Sequence, residues 1–288
     1  MLNGQSAIEA IQTRYSCRTY QETPIESSVQ RQLTDFMEVH AVGPMGTHVR
    51  LLLIAATDED RQALKGLSTY GFIKNATGFI LGAIPTGKLN QEDFGYVMEH
   101  AILYATSLGL GTCWLGGTFA KSRFAAKLTL REGELLPAVI ATGYCAAKRR
   151  ILESLIRQQA NADHRLAWGN LFFDGAFDVP LDRDTAGPFA TVLEMVRIGP
   201  SASNKQPWRI VKAGTSWHLF LQRTPGYAKR NAMLLDIADM QRIDMGIAMC
   251  HFALAAEELG LHGTWTVHEP DIKKPDALTA YIASWEEN

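Results

Sequence analysis

The chain has 288 residues, of which 47% are hydrophobic and 20% charged, with a formal net charge of −2. That composition suits a soluble globular protein long enough for two ordinary domains, and it leaves extensive disorder unsupported. The near-neutral charge, with no basic run longer than Lys148-Arg149-Arg150, provides no long-range attraction to nucleic acid or anionic lipid.

No apolar stretch approaches the ~20 residues of a membrane span, and the first residues lack a signal-peptide core, so a cytoplasmic location is expected. Cys17, Cys113, Cys145 and Cys250 are far apart, without a CxxC or a Cys/His pair at zinc-ligand spacing. They read as reduced core thiols, and no metal site is expected.

In chain order, Ala7, Ile8 and Ile11 predict a short helix ending near Arg14. A polar turn with Pro24 leads to a helix from Val29 to His40, then a buried strand over 48–55 and another over 79–84. A long amphipathic helix starts at Asp93, its Phe94, Val97, Met98, Ala101, Ile102, Ala105 and Leu108 at helical spacing, closed by Gly109 and Gly111 as C-cap glycines. A strand over 136–144 runs into the basic cluster. Residues 161–188, rich in Gly, Asp and Pro, predict a crossing segment. Beyond it come a helix over 189–198, a loop over 199–207, strands near 208–213 and 217–222, a long helix over 243–259 and a last strand over 278–285. Strands mixed with helices in this order predict an α+β fold with a sheet sandwiched by helices.

One segment occurs twice. Asp93 to Trp114 and Asp244 to Trp265 align without gaps at a constant shift of 151 positions, from 93 to 244, sharing Asp, Gly, Met, His, Leu, Ala, a Leu-Gly-Leu triplet and the final Trp. The chain therefore reads as two related lobes, 1–160 and 161–288.

The features suited to an anionic, ring-bearing ligand are divided between them. Arg14-Tyr15-Ser16-Cys17-Arg18 places two guanidinium groups and a hydroxyl within five residues, and arginine's fork suits phosphate oxygens. Lys148-Arg149-Arg150 follows a strand directly, whereas the matching strand of the second half ends in Glu286-Glu287-Asn288. The glycines after Leu115, Gly116 and Gly117, allow the main chain to approach a ring, and the second copy lacks them. The second half instead carries Pro200-Ser201-Ala202-Ser203-Asn204-Lys205-Gln206-Pro207-Trp208, whose hydroxyls and amides suit a heterocycle's polar edge. Its counterpart, residues 43–48, has no amides. Taken alone, the arginine stretch reads more readily as a solvated basic turn and the glycines can serve only a turn, whereas the dense run of amides and hydroxyls makes a plain connecting loop a poorer reading of 199–207. His100 and His251, equivalent in the repeat, read as packing residues.

Over nearly its whole length the sequence resembles the nitroreductase family of FMN-dependent oxidoreductases. RYSCR is similar to that family's Arg-Arg-Ser-x-Arg stretch, departing at Tyr15, and PSASNKQPW to its Pro-Ser-Ser-x-Asn-x-Gln-Pro-Trp loop, departing at Ala202. LGLGTCWLGG and GYCAAKRR resemble two further family segments, Cys145 standing where the family has proline. The resemblance implies a nitroreductase-like fold with a mixed, mainly antiparallel sheet between helices, here as a fused pseudo-dimer holding one FMN between its lobes and able to act as a monomer.

It further implies that Arg14, Ser16, Lys148, Arg149 and Arg150 hold the phosphate, that Arg18 faces the N1 and C2 carbonyl edge, and that backbone N–H groups of Leu115, Gly116 and Gly117 approach N5 and O4. Pro200, Ser201, Ser203, Asn204 and Gln206 reach the same ring from the second lobe. Flavin N5 carries the hydride, so no catalytic side chain is expected. The implied activity is ping-pong transfer from NADH or NADPH to a small acceptor such as a nitroaromatic or quinone. A flavin-fragmenting or dehalogenating enzyme, or an FMN-binding protein without turnover, carries the same motifs. Tyr70 and Phe72 are weaker candidates for the substrate side.

Overall fold

The computed structural model describes residues 2, 4–57, 62–147, 164–227 and 238–288. Two long helices, α3 (Asn90–Ser107) and α7 (Met240–Glu258), cross at the centre. They correspond to the repeated segment, and each ends alike: Leu108 and Leu259 cap the last turns, and Gly109 and Gly260 follow with φ of 79° and 71°. Gly111, expected to help close the first helix, instead begins a strand.

The sheets share one strand order. In the first, β1 (Arg50–Ala55), β2 (Gly78–Pro85), β5 (Val139–Gly143) and β3 (Gly111–Leu115) lie side by side, all antiparallel, with the short β4 (Glu134–Leu135) paired to the end of β2. In the second, β7 (Trp208–Ala213), β8 (Ser216–Gln222), β10 (Thr279–Glu287) and β9 (Gly263–Thr266) repeat that antiparallel path. One strand is added: β6 (Phe172–Asp174) lies in the expected crossing segment and pairs parallel to β7. The architecture is α+β, as expected. Helices α2 (Ser27–Val39), α4 (Lys121–Leu128), α5 (Arg183–Ala186) and α6 (Phe189–Arg197) complete the described α-helices with α1 (Ala7–Thr13), and single 3-10 turns lie at Trp168–Asn170 and Ala202–Asn204.

The expectation of amphipathic central helices is corrected by burial. On α3, Asn90, Glu92, Asp93 and Glu99 are buried along with the apolar face, because α7 covers Glu92 and Glu99, the 43–47 loop covers Asp93, and Asn90 bonds back to Pro85 O. α7 is buried almost continuously from Met240 to Ala256. Contact is closest at Gly95 and Gly246, which the repeat makes equivalent. A Cβ on Gly95 would overlap Ile243 O, and one on Gly246 would overlap Glu92 O and stand 2.7 Å from Tyr96 N. Residues 92 and 243 are equivalent too, so the two contacts are reciprocal, as in an isologous two-fold interface. Beside the crossing, Arg242 clasps the buried Glu92 with two hydrogen bonds, Nε to Oε1 at 2.8 Å and Nη2 to Oε2 at 2.5 Å.

The cores interlock. Met240, Ile243 and Ile247 of α7 pack with first-lobe residues such as Phe94 and Met98, while Ala7, Ala10 and Ile11 of α1, at the start of the first lobe, pack into the second-lobe core with Leu193 and Met249. At the end of α7, Glu258 accepts from Ser6 Oγ and Ala7 N, both at 2.5 Å, and from Ile8 N at 3.2 Å, placing its charge on the N-terminus of α1.

In an open helix, alanine for glycine stabilises by about 1 kcal/mol. Gly246→Ala is expected to do the opposite, lowering stability by about 1–3 kcal/mol through overpacking. Urea denaturation checks this, and a higher midpoint would show that the helices do not meet there.

Candidate functional site

Arg14 is the C-cap of α1, its backbone (φ −59°, ψ 131°) turning the chain out of the helix into an extended run. That run covers the edge strand β3: Ser16 pairs with Thr112, and Cys17 N donates to Thr112 O at 2.9 Å. Next, Ala146 N donates to Thr19 O at 3.0 Å, and Gln21 N to Tyr144 O at 2.8 Å. The arginine stretch is thereby brought alongside the exit of β5, the segment leading into the basic cluster. Lys148, Arg149 and Arg150 themselves lie outside the described residues. Arg18 extends over the ring of Phe72, 5.3 Å from its centroid, and Nη1 donates to Ser16 O at 3.4 Å. Tyr70, with φ of 51°, is 71% exposed.

Leu115 is buried at the end of β3, and Gly116 and Gly117 follow half-buried. A Cβ on Gly116 would stand 2.6 Å from both Sδ and Cε of Met240, so the first turn of α7 lies directly on this glycine.

Asp244, near the start of α7, accepts from Ala202 N at 2.9 Å. Its first-lobe equivalent, Asp93, accepts from Met45 N at 2.8 Å and Thr47 N at 2.7 Å. Equivalent carboxylates thus hold equivalent loops, and burial pushes both carboxyls up, Asp244 well above the usual range. In the loop over 199–207, Ser203, Asn204 and Gln206 all take φ near 50°, and Ser201 Oγ accepts from Gln206 N at 2.9 Å. The amides expected to face a ring bind within the second lobe. Gln206 Oε1 accepts from Leu166 N at 2.9 Å, Asn204 Nδ2 donates to His164 O at 2.9 Å, and Arg165 Nη1 donates to Asn204 Oδ1 at 3.3 Å. Pro200 and Ser203 are half-buried and exposed respectively.

The halves of the candidate site are joined by Glu99, which the sequence did not single out. This fully buried carboxylate of α3 accepts from Trp114 Nε1 at 2.7 Å and from His251 Nε2 at 3.0 Å, and it stands 3.8 Å from Arg14 Nε. His251 Nδ1 lies 2.9 Å from Met195 O, so each ring nitrogen faces an oxygen and the ring is fixed in orientation between Met195 and Glu99. A Cβ on Gly199, at the start of the second-lobe loop, would stand 3.3 Å from His251 Nδ1. A continuous chain of contacts therefore runs from Arg14 through Glu99 and His251 to the loop. Burial raises the Glu99 carboxyl, but the His251 hydrogen bond, the charges of Arg14 and His251, and the Trp114 hydrogen bond together hold it below its usual value. Arg14 Nε and Thr112 Oγ1 are buried without a hydrogen-bond partner. Among the described residues no His, Cys, Asp and Glu cluster could hold a metal ion, and no helix is long and apolar enough to cross a membrane.

The family described as "Putative TM nitroreductase" matches residues 6–256. The chain belongs to this nitroreductase family. It is similar in fold to a "putative nitroreductase" from Thermotoga maritima, with a TM-score of 0.60 at 16% identity over 98% of this chain and 94% of that one. Two shorter structures match about half of it: a nitroreductase family protein from Clostridium difficile (20% identity, 52% of this chain, 91% of that chain, TM-score 0.40) and a nitroreductase with bound FMN from Bacteroides fragilis (18%, 51%, 92%, 0.39). None of the curated proteins matches the sequence at a significant level.

Removing one partner from a buried charged network costs about 3–5 kcal/mol, and breaking an exposed ion pair about 0–1 kcal/mol. In denaturant unfolding, Glu99→Ala is expected to fall in the first range and Lys274→Ala, at the exposed Glu269 pair, in the second. Because the folded state lowers the Glu99 pKa, its contribution is complete above about pH 4.3, the usual carboxylate value, and is lost as pH falls through the folded value. Glu99→Gln should flatten that part of the acid limb.

Proposed function

We propose that this chain is an FMN-dependent oxidoreductase that takes electrons from NADH or NADPH and delivers them by a ping-pong route to a small nitroaromatic or quinone-type acceptor. The observation that carries the proposal is the chain of contacts from Arg14 through Glu99 and His251 to the second-lobe loop, which brings together the two kinds of group that an FMN needs. The residues fit the cofactor: Arg14 Nε is buried without a hydrogen bond beside an ionised Glu99, leaving the guanidinium oriented and available to a phosphate. Bound FMN would supply the hydride chemistry that no side chain can.

In this proposal Arg14 and Ser16 hold the phosphate together with Lys148, Arg149 and Arg150. Arg18, stacked on Phe72, places positive charge at the N1 and C2 carbonyl edge. Main-chain N–H groups of Leu115, Gly116 and Gly117 meet the opposite edge, and Met240 keeps water from behind Gly116. Pro200, Ser201, Ser203, Asn204 and Gln206 close the site from the second lobe. Since Asn204 and Gln206 bind to residues 164–166, their proposed part is to hold the loop's shape and present its main chain.

One site per chain follows from what the second half holds instead. β10 continues to Glu287, where Glu286 accepts from Thr266 Oγ1 at 2.8 Å and Glu287 from Trp217 Nε1 at 3.0 Å. Carboxylates built into the sheet would repel a phosphate at the place equivalent to the basic cluster.

Purified protein is expected to carry close to one FMN per chain, and NADH or NADPH added anaerobically should bleach its visible spectrum. Arg14→Ala should weaken FMN binding roughly 10–100-fold, the range for a charge-assisted contact worth about 1.5–3 kcal/mol. Two FMN per chain would overturn the single-site proposal, and bound flavin that neither nucleotide reduces would make the protein a binder without turnover.

A further inference from the structure

Two cysteines that the flavin proposal leaves aside meet in space. Cys17 lies inside the arginine stretch, and Cys145 lies just past β5. A Cβ on Gly111 would overlap the Cys145 sulfur, and the same point lies 2.9 Å from Cys17 Cβ and 3.1 Å from Cys17 Sγ. Both sulfurs therefore occupy the space that a side chain at 111 would fill. Their backbones are held on either flank: Cys17 N donates to Thr112 O at 2.9 Å, Tyr20 pairs with Cys145, and Gln21 Nε2 donates to Cys145 O at 2.9 Å. The buried Tyr20 hydroxyl lies 2.7 Å from Cys17 O and 3.1 Å from Ala141 O, bracing the turn that carries Cys17. Exposure separates the two, Cys17 being buried and Cys145 half-buried.

We propose that Cys17 and Cys145 are a dithiol pair that small-molecule disulfides oxidise to an intramolecular disulfide. Cys145, the accessible thiol, attacks the small disulfide as its thiolate, forms a mixed disulfide and releases one small thiol. Cys17 then attacks the Cys145 sulfur and releases the second. The two protein thiols lose two electrons and two protons, and the small disulfide gains both and leaves as two thiols. The new bond joins the arginine stretch to the segment that leads into Lys148. Cys113 is buried in the same apolar cluster with its Sγ 3.6 Å from the Trp114 carbonyl, and we assign it no part in the pair. The pairing does not depend on the flavin proposal.

The test uses the full-length reduced protein incubated with oxidised glutathione, alkylated and analysed by intact mass and peptide mapping. The expected result is the loss of two hydrogens, one linked peptide pair joining Cys17 to Cys145, no retained glutathione, and complete reversal by dithiothreitol. Cys113→Ser should keep the link and Cys145→Ser should lose it. A lasting glutathione adduct on Cys145, a link through Cys113, or an unchanged mass would each overturn the proposal. Those three outcomes are read on the natural sequence, so the test stands even if a variant fails to fold.

Discussion

Everything else in this molecule is arranged around the close approach of α3 and α7 at Gly95 and Gly246. Helix axes ordinarily pack 8–10 Å apart, the spacing being set by the side chains between them. Here both side chains at the contact are hydrogen, and the main chain of each helix fills the place of the missing Cβ on the other. Because the pair is related by the internal repeat, the contact is self-complementary and places a local two-fold axis between the lobes. Two consequences follow from that closeness. The polar flanks of both helices are buried, so Glu92 and Glu99 must find partners across the crossing, and they do so in Arg242 and His251. The lobes also exchange apolar contacts, α1 packing in the second core and the first turn of α7 in the first.

An interface of this kind gives the candidate site a defined shape. The first-lobe parts are fixed by β3: the arginine stretch runs along its edge, and Trp114 within it donates to Glu99. The second-lobe loop is fixed by α7 through Asp244 and stands beside His251. Glu99 lies where the two sets of constraints meet. A buried carboxylate is costly unless donors surround it, and here the Arg14 guanidinium, the His251 ring and the Trp114 indole do so. Moving α7 relative to α3 would therefore break the Glu99 and Glu92 contacts and shift the loop together, which ties the geometry of the site to the integrity of the crossing.

Much of the fold was legible because its signals are local. The apolar spacing on α3, the glycines after Leu108 and Leu259, and the apolar runs of β1, β2 and β5 each name their element from a few neighbouring residues. The shift of 151 positions pointed to two related halves, and the two sheets have the same order along their antiparallel paths. What escaped was non-local. β3 and β9 are short strands whose glycines resemble turn signals, and only pairing with β5 and β10 makes them strands. β6 lies in a stretch whose Gly, Asp and Pro read as linker, and its parallel pairing with β7 is decided by the sheet edge it reaches. Glu99 stood in the repeat next to a weighed histidine, yet a lone glutamate on a helix reads as a solvated face until the partner helix covers it. The one sequence signal that could have found it is the mismatch at equivalent positions, Glu99 in one copy and Cys250 in the other.

That mismatch also separates the symmetry of the backbone from that of the side chains. In a two-fold dimer of identical chains, a glutamate facing its partner's histidine would occur twice. Here the backbone keeps the two-fold contact at the glycines, while the polar pair survives once. At the second position Cys250 is buried, its thiol raised by burial and by the Glu99 charge, and it offers no carboxylate to His100. His100 turns instead to an aromatic group, its ring 4.8 Å from Phe36 and 4.7 Å from His40, where burial and the neighbouring His40 lower its pKa to about 3 and keep it neutral. Packing at the crossing penalises any change at Gly95 or Gly246 because each is shaped by the other, so the scaffold stays symmetric. The charged groups around it are each held by their own partners, so Glu99 can face His251 without a second such pair at Cys250 and His100. A symmetric helix crossing with an asymmetric set of charges is the outcome expected when packing constrains the two glycines reciprocally while each buried charge depends only on its own partners.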